Sequence, residues 1–98
     1  MTGTELLTKI KCGLGINTGY QDDTLQVYID DVKAFMKSAG VNQSVIDSSV
    51  SVGCILRGVA DLWNYGSGSV GFSEYFKSRV IQLSQMNESD LESDDTSL

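Results

Sequence analysis

The chain reads as an all-α protein, a small bundle of about four helices followed by a disordered acidic C-terminal tail. Three observations predict this. Apolar residues recur at helical spacing through most of residues 1–86. There is no proline, so glycine is the one strong helix breaker present. The stretch from Leu25 to Tyr65 reads as two helices parted at Gly40, and the second is apolar on almost every side. A helix that is apolar all round has to be covered all round. In 98 residues little else is available to cover it, which predicts a module that completes its burial by assembly.

Residues 2–14 read as a short first helix. Thr2 and Glu5 have capping-box spacing, and Leu6, Leu7, Ile10 and Leu14 form its apolar stripe. Lys9 and Lys11 lie near its end, where the helix dipole favours cations. The glycine-rich run from Gly13 to Gly19 then breaks it. Residues 23–39 form the clearest helix. Asp22 or Asp23 is expected to cap it, and Leu25, Tyr28, Ile29, Val32, Phe35, Met36 and Ala39 make one continuous stripe. Asp30 and Lys33 are spaced to pair across the opposite face. Gly40 suits the left-handed residue that closes a helix.

Residues 43–65 read as a single third helix, capped by Asn42 or Ser44. One stripe is Val45, Val52, Ile55, Val59 and Leu62; a second is Ile46, Val50, Leu56, Ala60 and Trp63. Only a narrow polar edge is left, from Asp47 through Ser51 to Asp61, and Arg57 and Asp61 are spaced to pair on it. Gly53 and Gly58 each cost about 1 kcal/mol relative to alanine in a helix, so close approach by another helix is expected at both. Residues 64–71 read as a flexible glycine-rich loop. The last helix begins near Phe72 or Ser73 and runs to about Met86, its apolar face made by Phe72, Tyr75, Phe76, Val80, Leu83 and Met86. This divides the chain into a helical domain, 1–86, and an acidic tail, 87–98, expected to be dispensable for folding and to order on a partner.

The formal charge is −6. Residues 87–98 hold five acids and no base, which leaves eight acids against seven bases in the body. A nearly neutral body with an acidic tail does not attract a phosphate backbone, which argues against a direct grip on nucleic acid. Cys12 and Cys54 lack metal-ligand spacing and read as reduced thiols acting as small hydrophobes, as in a reducing cytoplasm. No signal peptide is expected, and no apolar run approaches the ~18–20 residues that span a bilayer.

Few constellations suggest chemistry. Histidine is absent, and with it the commonest general base and metal ligand. Gly66-Ser67-Gly68-Ser69-Val70-Gly71 looks superficially like a phosphate cradle, but a helix precedes it where a strand is needed and no Gly-Lys-Ser/Thr follows. The pairs Asp22-Asp23, Asp30-Asp31 and Asp94-Asp95 are adjacent in sequence, and neighbours on a helix point in different directions, so none makes a catalytic dyad. No acidic loop has calcium-binding spacing. Asp47-Ser48 is similar to the phosphopantetheine site of acyl carrier proteins, but Ser49 stands where a leucine is expected. Trp63, Tyr28 and Tyr75 lie on apolar stripes and are expected in the core. Tyr65 stands at a helix end beside the loop, where it is available to a partner.

Together, a short opening helix (Leu6-Leu7-Thr8-Lys9-Ile10-Lys11), a break containing Gly15-Ile16-Asn17, the long helix from Leu25 to Ala39, an apolar helix ending in Asp61-Leu62-Trp63-Asn64-Tyr65-Gly66, and a final helix opened by Phe72-Ser73 resemble the head-tail connector (adaptor, head-completion) proteins of tailed bacteriophages. The resemblance spans about residues 4–84 and rests on order and spacing. It implies a structural subunit of a ring, typically dodecameric, at the head-tail interface of the virion. Such a ring sits beneath the portal protein, extends the DNA channel without sequence-specific binding, and docks a stopper or tail-completion protein. It implies no catalytic residues, cofactor or metal, and no membrane. Family members make contacts through the loop and chain ends, so the candidate partner-interface residues are Tyr65, Gly66, Ser67, Gly68, Ser69, Val70 and Gly71, with Arg57 and Asp61 on the preceding helix. The alternative is a small acidic helical carrier or regulatory binding module, with Ser48 modified in the carrier case. An enzyme is the least favoured reading, for want of histidine and of any nucleophile–base pair.

Overall fold

The computed structural model describes residues 2–65 and 72–87. Among these, five α-helices and no strands are present: α1 (Gly3–Leu14), α2 (Asp22–Ser38), α3 (Gln43–Ile46), α4 (Val52–Tyr65) and α5 (Glu74–Ser84). A 3₁₀ turn, Ser49–Ser51, joins α3 to α4. The expected all-α bundle is therefore observed. The expected tail lies outside the described residues, apart from Asn87.

Local chemistry sets most helix ends. At α1 the capping box forms in full: the Glu5 backbone N–H donates to Thr2 Oγ1 at 3.1 Å and the Thr2 N–H donates to Glu5 Oε1 at 3.0 Å. The Thr2 N–H, and then its side chain, hold the exposed Glu5 carboxyl below its ordinary value of 4.5. Gly15 closes α1 at φ 75°, and the Ile16 N–H reaches back to Lys11 O at 2.9 Å. Gly40 closes α2 in the same way at φ 98°, with the Val41 N–H on Met36 O at 3.0 Å. Both are Schellman closures, which need a residue that enters the left-handed region without a Cβ clash. The N-terminus of α2 differs from expectation. Its cap is Gln21, which makes no side-chain capping bond, and Asp22 and Asp23 fall inside the first turn. Asp22 is occupied elsewhere, by an ion pair to Lys11 at 2.8 Å that ties the end of α1 to the start of α2. On the outer face of α2, Asp30 accepts from Gln26 one turn earlier instead of pairing with Lys33.

The single helix expected over 43–65 is broken. Ser48 is extended, at φ −91° and ψ 164°. Two serines draw the local hydrogen bonds away from the helical ladder. Ser48 Oγ donates to Val45 O at 2.8 Å, and Ser51 Oγ is 2.7 Å from Ile46 O and 3.0 Å from Ser48 O. Serine hydroxyls compete for backbone carbonyls in this way, which is why they favour turns over helix interiors. The break also overturns the expected polar edge, since Ser51 is fully buried. Asn42 is the cap of α3, accepting from the Ser44 N–H at 2.9 Å.

α4 is the central element. It packs most extensively on α2, then on α1, then on α5. Ile55 and Val59 of α4 meet Leu25, Ile29, Val32 and Met36 of α2 in one core, all of them at most 1% exposed. Leu6 and Ile10 of α1, Val45 and Ile46 of α3, and Phe76, Val80 and Leu83 of α5 complete it. Gly58 is a point of close approach, as expected: a Cβ there would lie 2.7 Å from Phe76 Cε1 and 2.9 Å from Val32 Cγ2. Gly53 is not, with nothing within 4 Å of its Cβ position. The close approach between α1 and α4 falls instead at Gly13, whose Cβ would meet Leu56. Phe72 turns inward, its ring centroid 4.9 Å from that of Phe35 and 4.5 Å from that of Phe76.

Candidate functional site

The packing leaves one side of α4 open. Val50, Gly53, Leu56, Arg57 and Ala60 lie along a strip between α1 and α5. Two clefts meet there. One, of about 370 Å³, runs between α4 and α5 and is lined by Val50, Gly53, Cys54, Tyr75, Ser78, Arg79 and Gln82. The other, of about 450 Å³, lies against the end of α1 and is lined by Gly13, Leu14, Gly53, Leu56, Arg57, Ala60 and Tyr75. Gly53 and Tyr75 belong to both, so the two form one furrow along the central helix. The physical cause is simple. α2, α1 and α5 pack on α4 in decreasing extent, and the furrow runs where α1 and α5 stand apart.

Tyr75 divides the furrow. It was expected in the core on the α5 stripe, but Phe76 takes that place, fully buried, and Tyr75 is 65% exposed. The Arg57 guanidinium sits 5.1 Å from the centre of the Tyr75 ring, within cation–π range. Arg79 donates through Nη1 to Gln82 Oε1 at 2.7 Å. Cys54 contributes to the wall but is only 3% exposed. Burial pushes its thiol up to about 11, against a smaller opposing pull from Arg79, so at neutral pH it is a protonated, inert group. The other thiol, Cys12, is exposed, contrary to its expected role as a small buried hydrophobe.

The expected interface residues are dispersed. Arg57 lies in the furrow. Asp61 does not pair with it: Asp61 Oδ2 accepts from the Ser73 N–H at 3.1 Å, fastening the entry of α5 to α4. Arg57 turns to Tyr75 instead, so both halves of the expected i, i+4 pair take partners from the start of α5. Gly66, Ser67, Gly68, Ser69, Val70 and Gly71 lie outside the described residues, and Tyr65 is described only as the last residue of α4. Sequence reasoning missed Tyr75, Arg79 and Gly53 as surface features. A signal for the first two was present. Tyr75 and Arg79 are four apart, one helical turn, and Arg79 is a charge beside the α5 stripe.

Chemically the furrow offers an apolar floor, two guanidinium groups and an exposed phenol ring, which suits binding. Among the described residues no group of histidine, cysteine, aspartate or glutamate is placed to hold a metal ion, and no helix is long and apolar enough to cross a membrane. No protein-family model, curated protein or solved structure matches this chain.

Proposed function

We propose that the chain is a structural ring subunit of the phage head-tail connector type, which binds copies of itself beneath a portal ring and docks a stopper or tail-completion protein below. The observation that carries this reading is the side of α4 that its neighbours cover only in part, where Leu56 and Ala60, and Val50 in the turn before the helix, are half-buried and Gly53 is exposed. Head-to-tail closure of a ring requires a surface of one shape on one side and a different, complementary surface on the other. The furrow is a candidate for the first. Val27 of α2, 62% exposed, and Ile81 of α5, 60% exposed, are apolar groups on other faces that a neighbour would cover. The order of helices supports the reading too, from the short α1 through the long α2 to an apolar α4 followed by α5.

The alternative carrier reading draws less support. Ser48 is half-buried and its hydroxyl is engaged with Val45 O, whereas a modified serine needs a free hydroxyl.

Two measurements test the proposal. Native mass spectrometry of the chain with a portal ring should give a complex carrying several copies. Electron microscopy of particles made without this chain should show heads that lose DNA or lack tails. Full, tailed particles in its absence would refute the assignment.

A further inference from the structure

The chain has two arginines, and both line the furrow. Among the described residues neither is paired with a carboxylate, since Arg57 rests on the Tyr75 ring and Arg79 donates to Gln82. Among the described residues no acid lines either cleft. Arginine presents a planar fork of donors that matches a carboxylate, and here two such forks stand over an apolar floor. At Gly53 the floor has no side chain, and the space above it is open. The complementary ligand is therefore a slender acidic segment that also carries an apolar side chain.

The chain supplies one. Residues 88–98 contain Glu88, Asp90, Glu92, Asp94 and Asp95, together with Leu91 and Leu98, and no base. They follow directly on the rim of the furrow: Gln82 lines it, and the described chain ends at Asn87, five positions on. Eleven residues in extended form reach about 36–40 Å. The furrow wall from Tyr75 to Gln82 is about 10 Å long along α5. The segment thus has ample length to turn back along it.

We propose that residues 88–98 dock in the furrow of their own chain, with carboxylates on Arg57 and Arg79 and a leucine against Tyr75. Tethering makes weak contacts sufficient, because covalent attachment holds the segment at an effective concentration on the order of millimolar. The docked segment covers the open side of α4 in the free chain, and any partner for that side has to displace it. The proposal stands apart from the connector reading, since the furrow and the acidic segment exist whatever the chain assembles with.

Nuclear magnetic resonance of the full chain tests it. Nuclear Overhauser contacts are expected between the Tyr75 ring and the methyl groups of Leu91 or Leu98. They should persist on dilution and fade as salt is added, because partly exposed ion pairs are screened. A full-length variant with Glu88→Gln, Asp90→Asn, Glu92→Gln, Asp94→Asn and Asp95→Asn should lose them and shift the Arg57 and Arg79 side-chain N–H resonances. This variant leaves the folded body unaltered. A second, Arg57→Gln with Arg79→Gln, should lose the same contacts while keeping its acidic segment. Absence of the contacts in the unaltered chain, or their survival in either variant, overturns the proposal. Contacts that disappear on dilution also overturn it, because they would place the segment in the furrow of another molecule.

Discussion

Alanine at Gly53 and alanine at Gly58 add the same methyl group to α4 and should have opposite effects. At Gly58 the new Cβ would lie 2.7 Å from Phe76 Cε1, 2.9 Å from Val32 Cγ2 and 3.0 Å from Val32 Cγ1. Phe76 and Val32 are both fully buried, so neither side chain has free volume into which to withdraw. Overpacking of this kind costs ~1–3 kcal/mol. Removing a glycine from a helix returns ~0.5–1 kcal/mol. The net expectation for Gly58→Ala is a loss of ~1–2 kcal/mol, which for a domain of this size lowers Tm by about 5–15 °C. At Gly53 nothing lies within 4 Å of the Cβ position, so only the helix-forming gain operates. Gly53→Ala should therefore raise Tm by about 2–8 °C. Thermal and urea unfolding followed by circular dichroism read both, with an unchanged urea slope confirming that the same transition is compared. Equal shifts of the same sign at the two positions would refute the packing assigned to α4.

Ser51→Ala should cost ~1–3 kcal/mol, read as a lower urea midpoint, because its buried hydroxyl serves the carbonyls of Ile46 and Ser48 at the turn into α4. The two thiols should separate cleanly: a thiol reagent at neutral pH labels Cys12 in the folded chain and reaches Cys54 only on unfolding, as mass spectrometry would show. The Cys54 thiol also sets a pH dependence. Its folded value, about 11, lies above the ordinary 9.0, so the folded state holds its proton longer than the unfolded state does. The contribution is constant below about 9, and stability falls as pH rises from there through about 11. Cys54→Ser should flatten that part of the profile relative to the unaltered chain.

Much of the fold was legible because its determinants are local. Thr2 and Glu5 cap α1 from three positions apart, Gly15 and Gly40 close α1 and α2, and the stripe from Leu25 to Met36 is buried as its period requires. Each depends on neighbours within a turn or two, so the order of residues carries the information. The candidate site was much less legible. Arg57 and Asp61 have the spacing of a helical ion pair, and nothing in that spacing reveals that the start of α5 offers Tyr75 to one and the Ser73 N–H to the other. Tyr75 and Phe76 are neighbouring aromatics, and only the seat between Val32, Phe35 and Gly58 decides which of them is buried.

The helical class, the caps of α1 and α3 and the left-handed closures of α1 and α2 follow from residue order, because capping, backbone freedom and periodicity act over a few positions. The opposite surroundings of Gly53 and Gly58, and the furrow with its two arginines, belong to the assembled bundle. They depend on which helices lie against α4 and which side of it is left without one, a matter of three-dimensional packing between segments far apart in the chain.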